Sequence, residues 1–237
     1  DIFSTFTHPD DMALADVLGF PAIKISSSNV TNFPLLKAAA KTKKPIIIST
    51  GLSYLSEVDE AVRYLEECGC AEMAILHCTS LYPTPPEDVN LRAIQTLAQA
   101  FSYPIGFSEH IMGIHCSVAA VALGASIIEK HFTLDQTMEG PDHSFSSTPA
   151  ELRELVLAVH EVDRALGSGI KRPALKELPG RAKMQRVLVA SQEIAEGMMF
   201  TETNIVAKRS TRAGLPPKWQ DIILGGASRR RLTVDDP

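Results

Sequence analysis

The chain has no apolar stretch near the ~18 to 20 residues that cross a bilayer, and no signal-peptide pattern is visible at its start. It also lacks a strong charge of either sign: 28 acidic against 23 basic side chains leave a formal net charge of −5. That mild acidity argues against a nucleic-acid face. The basic run Arg229-Arg230-Arg231 reads as a solvated turn or strand edge rather than a polyanion site. Cysteine is scarce. Cys68, Cys70, Cys78 and Cys116 follow neither a paired framework nor a zinc-ligand spacing, and read as reduced thiols of a cytoplasmic protein. What is there is a chain of 237 residues, 45% hydrophobic, able to bury a sizeable core. Its size suits one large domain, or one large plus one small.

Short apolar, β-branched runs alternate with helical patterns. Strands are expected near residues 2–5, 22–25, 45–49, 73–77, 104–107 and 126–129. Leu55, Val58, Val62 and Leu65 have the spacing of an amphipathic helix, as do Leu152, Leu155, Val159, Val162 and Leu166. The second of these helices opens on Thr148-Pro149-Ala150-Glu151, a capping box with proline at the first helical position. Near-continuous apolar strands separated by helices predict βαβ units and a parallel sheet. A doubly wound sheet is one solution. An α/β (β/α)8 TIM barrel lacking its first two units suits the strand ends better. The chain opens on "DIFST", a strand already under way, so a further N-terminal part of the natural protein is expected.

The pattern changes after Gly167. Residues 1–167 form the expected barrel part, and 168–183, rich in Gly, Pro and Lys, read as a linker. Residues 184–237 hold the short strand-like runs "RVLVASQEI", "GMMFT" and "NIVAKRS", a small β-rich domain.

Every expected strand finishes on a hydroxyl, a lysine or a histidine: Ser4-Thr5, Lys24 with Ser26-Ser27-Ser28, Ser49-Thr50, His77 to Ser80, Ser108 to His110, Lys130-His131. In parallel α/β folds the C-terminal strand ends form the face that carries the site. His110 and His131 are 21 positions apart (131 − 110), one βα unit, which places them on neighbouring strands at one mouth. Two imidazoles there suit a divalent metal with open positions for substrate; hydrogen-bonded strand-end histidines are the plainer alternative. Lys24 with Ser27, Ser49, Ser80 and Ser108 suggests an anion site, against which stands the use of serine as a helix cap. The loop "MEGPDHS" carries Glu139, Asp142 and His143, suited to binding a polyol or relaying a proton, or else an Asx-type turn.

The stretches "IKISSSNVTNFPLLK", "KPIIISTG", "LHCTSLYPTPPEDVNLRAI", "IGFSEHIMGI", "ALGASIIEKHFTLDQTMEGPDHSFS" and "ALGSGIK" resemble the sialic acid synthase family, which includes N-acetylneuraminate, legionaminate and pseudaminate synthases and related spore coat polysaccharide proteins. The tail "VLVASQEIAEGMMFTETNIVAKRS" is similar to the family's antifreeze-like SAF domain. The resemblance implies a TIM barrel that condenses phosphoenolpyruvate with an open-chain N-acylated hexosamine to a nine-carbon 2-keto-3-deoxy sugar acid. It implies a divalent metal, Mn²⁺ with Mg²⁺ or Co²⁺ as alternatives, and a domain-swapped homodimer. By motif, His110 and His131 look like metal ligands and, with Asp142, catalytic residues. Lys24, Ser27, Ser49, Ser80 and Ser108 resemble the phosphoenolpyruvate shell, with Thr5 near it. Tyr82 and Asp142 resemble sugar contacts, and Arg209 the arginine sent into the partner's site.

Three departures stand out. Asn29, by the resemblance a substrate-binding residue, occupies the position of a family glutamate; it keeps hydrogen bonding but cannot act as a base. Ser210-Thr211 follow Lys208-Arg209 where the family has Pro-Gly. The resemblance places another catalytic glutamate on two further barrel units expected ahead of this sequence, and six strands alone would leave two open edges. The rival readings are a non-catalytic or partner-dependent sugar- or phosphoenolpyruvate-binding homologue, a 3-deoxy-2-keto sugar-phosphate synthase, and a metal-dependent hydrolase, for which the chain lacks a His-x-His pair.

Overall fold

The computed structural model describes residues 1–237 except the side chain of Ala182. It forms two compact units, Asp1–Ser168 and Gly169–Pro237.

The first unit is built on five parallel strands hydrogen-bonded in chain order: β1 (Ile23–Ile25), β2 (Ile46–Ser49), β3 (Met73–Cys78), β4 (Ile105–Glu109) and β5 (Ile127–Lys130). Between them run the helices α2 (Phe33–Lys41), α3 (Leu55–Glu67), α4 (Ala93–Ala100) and α5 (His115–Ala122); α1 (Ala13–Val17) precedes β1 and α6 (Pro149–Leu166) follows β5. The β-branched run Ile46-Ile47-Ile48 suits a strand covered on both faces, and Ile46 and Ile48 are fully buried. On α3, Val58, Ala61, Val62 and Leu65 are buried at helical spacing. Each fully buried Leu or Ile side chain contributes about 1.5–3 kcal/mol. Gly106 on β4 permits close strand contact, since a Cβ there would lie 2.7 Å from the Ile127 carbonyl oxygen.

The first expected strand, at residues 2–5, is reduced to an isolated parallel bridge between Thr5 and Lys24. Residues 1–5 have β1 on one side only and stay exposed. The capping box on α6 is present: Glu151 accepts from the Thr148 backbone N–H at 2.8 Å. Its apolar stripe is less buried than the spacing predicts, with Leu155 alone fully covered.

In the second unit β6 (Arg186–Ala190) and β7 (Ile205–Arg209) pair antiparallel. Ala190, Ile194, Ile205 and Leu232 form its small core. The run "GMMFT" is no strand; Met199 makes an isolated bridge to Ala227. Residues 175–184, all but the last inside the expected linker, hold a 3-10 turn and the short helix α7 (Leu178–Met184). A last short helix, α8 (Gln220–Ile223), precedes the C-terminal turns. Among the described residues no helix is long and apolar enough to cross a membrane, and all four cysteines are free thiols.

Candidate active site

β1 carries Lys24 in its middle with the side chain almost fully buried. A buried ammonium needs partners. Its Nζ donates to Ser49 Oγ at 2.7 Å and to the Ile25 carbonyl at 3.2 Å, and lies 3.5 Å from Glu129 Oε2. The other Glu129 oxygen accepts from Ser108 Oγ at 2.7 Å. One lysine therefore ties together the ends of β1, β2, β4 and β5.

Beside it lies a pocket of hydroxyls. Ser27, on the 3-10 turn after β1, accepts from the Gly51 backbone N–H at 3.0 Å. A Cβ on Gly51 would sit 2.9 Å from Ser27 Oγ, 3.3 Å from Cys78 Sγ and closer still to Ser80 Oγ. Glycine thus keeps open a cradle between two serine hydroxyls that any side chain would fill. An ammonium, hydroxyls and a backbone turn at strand ends can surround a phosphate or carboxylate.

The second half of the site is aromatic. The rings of His110 and His131 have centroids 5.1 Å apart, and Tyr82 lies 4.1 Å from His110. Phe145 closes the other side at 5.3 Å from His131. His110 Nδ1 lies 2.9 Å from the Thr79 carbonyl. A carbonyl only accepts, which assigns the proton to Nδ1 and leaves the Nε2 lone pair free. Burial pushes the His110 pKa down and the nearby His131 adds to this, against Thr79, Glu129 and Asp142. His131 Nδ1 lies 3.6 Å from Asp142 Oδ2. Burial pushes the Tyr82 phenol up.

Neutral imidazoles, each with one nitrogen turned to an oxygen, are good ligands for a divalent cation. The donor set fits such an ion if substrate or water completes it. Among the described residues no cluster of three or more His, Cys, Asp or Glu forms a closed cage.

The structure thus brings Lys24, Ser27, Ser49, Ser80 and Ser108 to one mouth, with Tyr82, His110, His131 and Asp142 at the same strand ends; Thr5 pairs with Lys24 through the backbone. Asn29 is differently employed. Its Nδ2 donates to Ser26 Oγ at 3.0 Å and its Oδ1 accepts from Asn32 at 2.9 Å. Asn32 in turn accepts from the Leu35 N–H and caps α2. Both ends of the Asn29 amide are used within its own loop. Arg209 lies in the second unit, exposed at the end of β7 opposite Arg186. In the loop after β5, His143 is held by Thr133 at 2.7 Å, and Glu139 is exposed. Glu129 and Gly51 were not anticipated. Strand alternation could have found Glu129, since it shares a face with His131 two residues on.

A family model described as the NeuB family matches residues 1–171. The chain belongs to the NeuB family. Among its NeuB-type relatives is the N,N'-diacetyllegionaminic acid synthase of Campylobacter jejuni, 44% identical over 96% of this chain and 68% of the relative. The N-acetylneuraminate-9-phosphate synthase of Homo sapiens is 40% identical over 99% of this chain and 66% of the relative. A crystal structure of N-acetylneuraminic acid synthetase from Leptospira borgpetersenii in complex with citrate is 36% identical, covers 77% of this chain and 65% of its own, and superposes with a TM-score of 0.71. The chain therefore spans about two thirds of the length of these NeuB relatives (68%, 66% and 65%). The curled parallel sheet is the feature it shares with the sialic acid synthase structure.

Proposed function

We propose that the full-length protein condenses phosphoenolpyruvate with an N-acylated hexosamine of the N-acetylmannosamine type, releasing phosphate and a nine-carbon 2-keto-3-deoxy sugar acid for surface glycan synthesis. The observation that carries this reading is the convergence, at the C-terminal end of one parallel sheet, of a buried ammonium, serine hydroxyls around Gly51, and two imidazoles. A strong anion and a polarisable carbonyl are the partners such groups suit.

In this reading Lys24, Ser27, Ser49, Ser80 and Ser108 hold the phosphate and carboxylate of the donor and fix its C3 carbon toward the mouth. His110 and His131 would hold a divalent cation, Mn²⁺ being the first candidate. That cation would supply Lewis acidity at the acceptor aldehyde oxygen. Tyr82 and Asp142 orient the sugar. C3 of phosphoenolpyruvate forms the new bond to the aldehyde carbon, water adds at C2, and the C–O bond to phosphate breaks. Completion of a TIM barrel by further strands, and action of the second unit as an antifreeze-like cap that brings Arg209 to a partner's mouth in a homodimer, belong to the same proposal. A cytoplasmic location agrees with the free thiols.

Asn29 favours a second reading, a binding protein without turnover, because its amide is engaged with Ser26 and Asn32 and offers no base. Phosphate release from phosphoenolpyruvate and Mn²⁺, measured separately with N-acetylmannosamine and its 6-deoxy diacetamido relatives, decides between them. The synthase reading expects release with one acceptor and loss in His110→Ala and His131→Ala. Tight phosphoenolpyruvate binding with no release on any acceptor moves the binding reading ahead.

A further inference from the structure

Three successive residue pairs lie where β4 and β5 leave the sheet. Ser108 stands opposite Glu129, and Glu109 opposite Lys130. His110 and His131 follow one residue later on each chain segment. Side chains alternate faces along a strand, so the first and third pairs share the mouth while the middle pair turns to the other face. There Lys130 Nζ donates to Glu109 Oε1 at 2.9 Å and to the Ile111 carbonyl at 2.8 Å. Lys130 thus grips the chain on both sides of His110. Ser117, on α5, donates to the same Glu109 oxygen. Both charged side chains are buried, at 4% and 0% exposure, and Glu109 Oε2 has no partner among the described residues.

A buried ion pair of this kind is a poor source of stability, because dehydrating both charges offsets most of their attraction; its best-attested use is to fix register. We propose that the Glu109–Lys130 pair is a positioning device that locks the ends of β4 and β5 together and so sets the separation of His110 and His131. The reasoning rests on the reading of those histidines as a metal pair. The site needs such a device because two protein ligands leave the geometry of a cation under-determined, and neither histidine is held by a second one on its own strand. Removing the pair loosens the metal site rather than the fold.

The test uses the full-length protein, with Mn²⁺ affinity and the visible spectrum of bound Co²⁺ as readouts beside the melting temperature. The double variant Glu109→Leu/Lys130→Met replaces both charges with apolar groups of similar volume, which keeps a fold that a single charge removal endangers. The expected result is a melting temperature close to wild type, Mn²⁺ affinity lower by about 10–100-fold, and an altered Co²⁺ spectrum. A folded double variant with unchanged affinity and spectrum overturns the proposal. If the double variant does not fold, Lys130→Arg decides, since it keeps the charge and moves the donor: a shifted Co²⁺ spectrum supports the device, and an unchanged one overturns it. His110→Ala separates the two levels. Unchanged Mn²⁺ affinity in that variant defeats the metal reading and this inference with it; lost affinity there, with none lost in the double variant, defeats this inference alone.

Discussion

Lys24 on β1 and Glu129 on β5 meet at 3.5 Å although β2, β3 and β4 lie between them in the sheet. A flat sheet at ~4.8 Å per strand would hold these two strands roughly 19 Å apart. The sheet therefore curls until its first and last strands face each other, and the two side chains reach across the hollow. Glu129 Oε2 is the carboxylate oxygen beside the Lys24 ammonium. Lys24→Met is expected to weaken phosphoenolpyruvate binding by at least tenfold, as removal of one partner of a buried charge contact costs about 2–5 kcal/mol. Titration calorimetry with phosphoenolpyruvate measures this; unchanged affinity would remove Lys24 from the donor site.

Gly51 gives the sharpest steric prediction. A methyl group there would fall 2.9 Å from Ser27 Oγ and nearer to Ser80 Oγ. Gly51→Ala is expected to keep its far-ultraviolet circular dichroism and lose at least tenfold in phosphoenolpyruvate affinity, because the cradle is filled. A variant that binds normally would place the anion elsewhere.

Two buried histidines give a pH dependence of known sign. Burial lowers the pKa of His77, whose Nε2 lies 2.7 Å from the Val89 carbonyl, and of His110, both from an ordinary 6.5. The unfolded chain takes up these protons near 6.5 while the folded protein still refuses them. Stability thus rises with pH in this window and is lost as pH falls below about 6.5 toward the lowered folded values. Urea unfolding at a series of pH values should show this slope, and His77→Gln should reduce it. A slope the same in His77→Gln as in wild type would assign the effect to other groups.

Asn29 links Ser26 to the cap of α2. Asn29→Ala leaves those partners unsatisfied and should cost about 1–3 kcal/mol of stability, read by chemical denaturation. Asn29→Glu restores a carboxylate at that position, and a gain in phosphate release would show that the asparagine limits turnover. Equal stability of Asn29→Ala and wild type would contradict this linking role.

Much of this site was legible in the chain because the parallel sheet repeats one geometry. Once Ile127 and Ile128 are read as a strand, His131 must lie at its exit, and His110 one βα unit earlier. The same logic failed where tertiary neighbours decide. Residues 2–5 have strand-like composition, yet the sheet pairs with Thr5 alone. Leu152, Val159 and Leu166 have helical spacing, yet α6 covers only Leu155 fully. The sequence assigns Glu129 no role, because a carboxylate is an odd inhabitant of a candidate anion site until Lys24 is seen beside it. The role of Asn29 depends on Asn32, three residues away across a turn that composition alone does not define.

The most direct test of the synthase account follows the bridging oxygen of phosphoenolpyruvate. With ¹⁸O between C2 and phosphorus, the full-length protein, Mn²⁺ and the accepted hexosamine, the account predicts that the label appears in inorganic phosphate, as C–O cleavage requires. Label retained in the organic product would mean P–O cleavage and would contradict it.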